Sequence, residues 1–168
     1  MIKVRDMQES DIDFAKSLTD AEEWGNSIED WQRLLRISIP LIAHDGKELF
    51  GVTTAFDYGK LGMIGNVVVS SDSRGKGVGQ ALLKESMKRL ESCKSIRVHS
   101  KMDIVSFYSS LGFMPEGMST VFRLDADMKS FQPFVIDSDE NIVSAEDYWD
   151  EIVAMDKRQF GGNRSNLL

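Results

Sequence analysis

The chain has 168 residues, 42% of them apolar and 28% charged, the balance of one soluble domain with a proper core. A formal charge of -7 and a pI near 4.9 argue against a nucleic-acid partner, which needs a basic face. No uncharged run approaches the roughly 20 residues of a membrane helix, the charged start (Lys3, Arg5, Asp6, Glu9) leaves no signal-peptide core, and the lone Cys93 cannot form an internal disulfide, so a cytoplasmic setting is expected.

In chain order, residues 2–7 alternate apolar and polar as an opening strand. Ser10 is placed to cap a helix bearing Ile12, Phe14, Ala15 and Leu18. Ser27, with Asp30 three places on, forms a carboxylate variant of the capping box for a second helix, whose stripe is Trp31, Leu34 and Leu35 with Ile28 and Ile37. Between the helices, Trp24 stands beside Glu22 and Glu23. An exposed tryptophan next to carboxylates can hold an amine by cation–π contact and charge; the alternative is a tryptophan packed on the core and solvated glutamates.

After Pro40, residues 41–44 and 48–56 read as strands joined by Asp45-Gly46, a hairpin signal, and a second turn at residues 58–62 leads into a strand ending at Val69. That strand closes on the β-branched run Val67, Val68, Val69 and turns through Ser70, Ser71, Asp72 and Ser73. Arg74 follows, then Gly75, Lys76, Gly77, Val78 and Gly79, and then a helix with Val78, Leu82, Leu83, Met87 and Leu90 on one side.

A strand feeding a glycine-rich turn into a helix start is an anion site. The first helical N–H groups lack intrahelical partners and the dipole adds positive charge. Glycines admit a phosphate to the backbone, while Arg74 and Lys76 add full charge. The bland alternative is a flexible strand–helix connection. The spacing matches neither the P-loop nor the dinucleotide fingerprint, since Gln80 stands where the third glycine of the latter would fall.

Further on, residues 95–99 form a short strand, 103–111 a helix stopped by Gly112, and 113–116 with 119–124 a closing strand pair. Residues 131–136 read as another strand. Ser144, with Asp147, opens a helix carrying Trp149, Ile152, Val153 and Phe160 on one side.

Two landmarks carry a resemblance. Arg74, Gly77 and Gly79 fit [RQ]-x-x-G-x-[GA], and about thirty residues on stands Phe107-Tyr108-Ser109-Ser110-Leu111-Gly112-Phe113. In that order and spacing they resemble motifs A and B of the GNAT N-acetyltransferases. The resemblance covers residues 1–125 and implies an α/β (α+β) acyl-CoA N-acyltransferase fold, a mixed, mostly antiparallel sheet of about seven strands flanked by four helices. It implies transfer of an acetyl group from acetyl-CoA to a primary amine of a small molecule or protein, with no metal.

By the same resemblance, coenzyme A is held by Arg74, Gly75, Lys76, Gly77, Val78 and Gly79 and by strand backbone at Val67, Val68 and Val69. The N–H of Val69 also polarises the thioester carbonyl. Tyr108 takes the place of the general acid. A phenol, with a pKa of about 10, holds its proton more tightly than a thiol at about 8.5; the alternative is a tyrosine that only packs on the pantetheine arm. Glu23 and Trp24 fall in the region that lines the acceptor side.

The sequence departs from the family in two places. Gly65 and Asn66 stand where many relatives carry a glutamate base, leaving Glu22, Glu23, Asp57 and His99 as candidates. Histidine suits neutral operation best, with a water chain as the alternative. Lys101 stands where the family usually has an asparagine, seven places before the tyrosine, which either costs a hydrogen bond to coenzyme A or replaces it with a phosphate contact.

Residues 126–168 resemble the start of a second module of tandem GNAT enzymes. Such a part-module is expected to pack on the first domain or on a neighbouring chain, as in a homodimer. Two other function classes stand beside the enzyme: a non-catalytic acyl-CoA-binding regulatory or scaffolding module, and a dinucleotide-binding oxidoreductase domain. The antiparallel run over residues 41–69 disfavours the latter.

Overall fold

In the computed structural model, which describes residues 1–120 and 144–165, five strands form one sheet in chain order. They are β1 (Lys3–Asp6), β2 (Ile39–His44), β3 (Leu49–Asp57), β4 (Leu61–Val69) and β5 (Ser95–Val98). The first three pairings are antiparallel and β4–β5 is parallel, because a helical crossover separates those two strands. The β2–β3 turn is set by Asp45, whose Oδ1 accepts from the N–H groups of Lys47 (2.8 Å) and Glu48 (3.0 Å).

Helices α1 (Ile12–Ala21) and α2 (Ile28–Ile37) cover one face. Ser10 does not cap α1. A 3-10 turn over Glu9–Asp11 precedes the helix, and Asp11 Oδ2 accepts from the Gln8 N–H (2.8 Å) while its two oxygens hold the Arg5 guanidinium at 2.7 and 2.8 Å. A buried carboxylate with an arginine partner fixes the entry more firmly than a serine hydroxyl.

The capping box of α2 forms as expected: Asp30 N–H to Ser27 Oγ is 3.1 Å and Ser27 N–H to Asp30 Oδ2 is 2.9 Å. Trp31 is fully buried against α1, with Ile12, Ala15, Leu18, Ile42, Val52 and Val68 in the same cluster, whereas Ile28 lies outside the stripe, exposed at the first turn. On the opposite face α3 (Val78–Arg89) sets Val78 and Leu82 on Leu41 and Ala43.

β4 changes faces midway. Thr54 opposes Gly65 while Val52 opposes Val68, so β4 carries an extra residue against β3 there, with Asn66 at φ 50. Ile64 therefore packs with Leu83 on the α3 side and Val68 with Trp31 on the α1 side, although four residues apart they would share a face of a regular strand. Thr53 Oγ1 donates to the Gly65 carbonyl (3.0 Å) at the bulge.

Helix α4 (Val105–Ser109) follows a 3-10 turn over Met102–Ile104 and is shorter than expected. It ends on Gly112 (φ 94), whose N–H reaches the Ser109 carbonyl while Phe113 N–H reaches that of Tyr108. The expected sheet of about seven strands is five among the described residues. Residues 113–116 form no ladder; Met114 and Met118 are exposed, and Glu116 meets Arg97 at 2.9 Å instead. The strand expected over 119–124 lies largely, and that over 131–136 wholly, outside the described residues.

Ser144 accepts from the Glu146 N–H (3.3 Å) and opens a 3-10 turn before α5 (Trp149–Phe160). The end of α5 docks on the β3–β4 turn. Phe160 meets Tyr58 edge-on at 5.3 Å, and Asn163 N–H donates to the Tyr58 carbonyl at 3.1 Å.

Candidate active site

Strands β4 and β5 part company after Ile64↔Val98. Beyond that pair β5 ends, while β4 runs on through its bulge to Val69, so a V opens between the two arms. The bulge makes the opening: an extra residue bends its strand and increases the local twist.

Which backbone groups face the V follows from the ladder. Ser70 N–H donates to the Phe50 carbonyl (2.9 Å), and Gly51↔Val69 is the next pair. Antiparallel pairs alternate, so the N–H and C=O of Val69 turn away from β3 and toward the V, and those of Val68 turn back to β3. Val67 faces the V like Val69. Val68, expected beside them, has its backbone in the ladder and its side chain in the α1 core.

After Val69 a 3-10 turn over Ser71–Ser73 leads to Arg74 and the glycines. Gly77 caps α3 at φ 85 with nothing within 4 Å of where a Cβ would stand. The open approach and the unpaired N–H groups of the first turn of α3 suit an anion. Lys76 is exposed beside it. Gly79 serves differently: a Cβ there would lie 3.3 Å from the Phe107 ring, so this glycine lets α4 pack against α3. The residues present fit a diphosphate at this turn.

Tyr108 lies on α4, 6% exposed, in a cluster with Ile64, Leu83 and Leu90. Val67 of one arm and Val98 of the other pack against that cluster. The phenol meets Phe107 and Phe113 edge-on at 5.2 and 6.0 Å, and burial pushes its pKa above the ordinary value.

Arg74 does not simply point at the turn. Its Nε donates to the Val69 carbonyl (3.1 Å) and its Nη2 to Glu22 Oε1, at the end of α1. The other Glu22 oxygen faces Lys101 Nζ at 3.5 Å. Burial disfavours the Glu22 anion, but the bonds and charges of Arg74 and Lys101 outweigh it and hold the carboxyl below its usual range. This three-residue bridge has no local sequence signal, because its members are 52 and 79 positions apart.

Of the remaining base candidates, Asp57 pairs with Gly62 at the far end of β4, about 23 Å of strand from Val69. It accepts from the Gly59 N–H (2.7 Å) and serves the turn. His99 directly follows β5 on its arm of the V and is exposed. Glu23 and Trp24 follow the end of α1: Glu23 takes φ 58, its N–H reaching the Asp20 carbonyl and that of Trp24 the Thr19 carbonyl. Both are exposed.

On the α2 side of β4 lies an open cavity of about 370 Å³, with Asn26, Asp30, Leu34, Ile37, Phe56 and Asn66 among its lining. This cavity was not expected from the sequence. Its one local cue was Gly65-Asn66 inside a strand, the mark of a bulge. Among the described residues no cluster of metal-ligating side chains is present, and no helix is long and apolar enough to cross a membrane.

Residues 4–124, well over half the chain, match the acetyltransferase (GNAT) domain. The chain belongs to the GNAT acetyltransferase family. GNAT enzymes are N-acetyltransferases that depend on acetyl-CoA. An uncharacterized N-acetyltransferase of Bacillus subtilis, YitH, is 28% identical over 114 residues, which make up 67% of this GNAT chain and 39% of YitH. The chain thus spans well under half the length of that relative.

Among solved structures, glucosamine-6-phosphate N-acetyltransferase from Arabidopsis thaliana aligns with a TM-score of 0.62 at 18% identity, covering 74% of this chain and 99% of that one. Rv2747 from Mycobacterium tuberculosis, solved in complex with CoA, aligns with a TM-score of 0.61 at 18% identity, covering 71% and 76%. At these identities the likeness is one of fold.

Proposed function

We propose that this chain is an acetyl-CoA-dependent N-acetyltransferase acting on a primary amine of a small molecule or protein. The observation that carries the proposal is the V between β4 and β5, which opens onto the Gly77 turn at the start of α3. When bound, acetyl-CoA supplies an acetyl group activated as a thioester. The N–H groups at residues 76–79 hold phosphate oxygens, with Lys76 adding charge. The backbone of Val67 and Val69 hydrogen-bonds an extended arm laid in the V, and Val69 N–H is the donor that polarises a carbonyl there.

Tyr108 holds its proton at the inner end of the V, for a thiolate leaving into that space. A phenol is already protonated at neutral pH, and burial raises its pKa further. His99, on the β5 arm, takes the proton of the incoming amine. The amine reaches the V past Glu23 and Trp24, with the cavity at Asn66 receiving the rest of the acceptor. Residues 1–125 are the GNAT domain, consistent with the family match ending at residue 124, and residues 126–168 resemble the start of a second one.

Because the turn works by close backbone approach, Gly77→Asp is expected to abolish coenzyme A binding in calorimetry and leave a cooperative thermal melt. Undiminished affinity would remove the phosphate assignment.

One observation favours a second reading, a non-catalytic acyl-CoA-binding module: no carboxylate stands at Gly65 or Asn66, and Asp57 is far from the V. Release of free thiol from acetyl-CoA in the presence of an amine panel separates the two; the enzyme releases it and the module does not.

A further inference from the structure

Arg74 follows the β4 arm and Lys101 follows the β5 arm, both beyond the point where the strands separate. Each gives its charge to a different oxygen of one carboxylate, Arg74 to Oε1 and Lys101 to Oε2 of Glu22. The carboxylate arrives from a third element, the end of α1, where the chain turns through Glu23 at φ 58. A left-handed residue other than glycine is a local cost that the surrounding structure must offset.

Both cations are more than half exposed, at 57% and 62%, while Glu22 is 22% exposed. Two cations drawn from opposite arms onto one carboxylate leave a net positive charge at the mouth of the V. A diphosphate brings more oxygens and more negative charge to the same pair and suits it better than a single carboxylate does.

We infer that Glu22 is the resident counter-anion of the cofactor's phosphate site. Its carboxylate holds Arg74 and Lys101 in the free protein and yields both to the diphosphate of coenzyme A. The inference rests on the coenzyme A reading above and adds Glu22 to it as a positioning residue, one that the phosphate contact already expected of Lys101 has to displace. No covalent step is involved; one ionic partner is exchanged for another. A consequence is that coenzyme A affinity is set partly by the strength of the internal bridge, which the ligand has to break.

The test is calorimetric titration of the whole chain with coenzyme A and, separately, with inorganic pyrophosphate. Glu22→Gln keeps the side-chain shape and removes the competing charge, so both ligands are expected to bind about three- to tenfold more tightly, the range given by two partly exposed ion pairs. Lys101→Ala placed on the Glu22→Gln background is expected to lose most of that gain. Thermal melts confirm that each variant is folded, and Glu22→Ala serves as a second charge-removing variant.

Unchanged or weaker binding in both Glu22 variants overturns the inference and makes the carboxylate a plain support for Arg74. Binding that survives Gly77→Asp at full strength instead overturns the coenzyme A reading itself, and this inference with it. The two failures are therefore told apart by which variant misbehaves.

Discussion

Under the proposed function Tyr108 serves packing and chemistry together. Its ring fills an apolar cluster with Ile64, Leu83 and Leu90, and its phenol is raised by burial, so the hydroxyl stays a donor where an exposed phenol would begin to ionise. Tyr108→Phe keeps the ring and removes the proton. The expected result is a kcat lower by about a hundredfold, the low end for general acid catalysis, with KM for acetyl-CoA little changed. Equal losses in both would make Tyr108 a binding residue. The basic limb of the kcat profile is expected above pH of about 10, where an ordinary phenol titrates, and is expected to vanish in Tyr108→Phe. Motif B announced this residue in the sequence. Nothing local announced that Arg74 would turn to Glu22, because long-range ion pairs leave no periodicity to read.

At the scale of elements, the half-buried pair of Arg5 and Asp11 ties β1 to the entry of α1. The Arg5 hydrogen bond is the largest influence on Asp11 and holds its carboxyl below the usual range. A carboxyl depressed in the folded state stabilises above its unfolded pKa, and that stability drains away as pH falls through the folded value. The melting temperature is thus expected to drop below pH of about 4, and less steeply in Asp11→Ala. That variant is expected to cost about 2–3 kcal/mol at neutral pH, under the value for a fully buried pair because Arg5 is partly exposed. A variant within about 0.5 kcal/mol of wild type would show the pair to be dispensable. The Ser27–Asp30 box, the Asp45-Gly46 turn and the stop at Gly112 were legible because each is a short-range signal. Ser10 misled because the true cap depends on Arg5, an ordinary surface residue in the sequence. The flip of β4 at Asn66 was hidden, since Val67, Val68 and Val69 read as one continuous buried run whichever face each takes.

At the scale of the whole molecule, the sheet of the described residues has two helices on one face and α3 with α4 on the other, and its parallel pairing, β4 with β5, opens into the V. A parallel pair needs a crossover helix, and here that helix is α3, whose N-terminal turn lies at the mouth of the V. Under the proposed function fold and site therefore arise from the same connection. The extension meets this unit at the β3–β4 turn, where Phe160 sits on Tyr58, away from the phosphate turn. The most direct test is a titration of isotope-labelled protein with coenzyme A, followed by backbone amide NMR. The largest shifts are expected at Val67, Val69 and residues 76–79, with Val68 moving far less because its N–H is committed to β3. Shifts concentrated around the α2 cavity, with the Gly77 turn silent, would contradict the account.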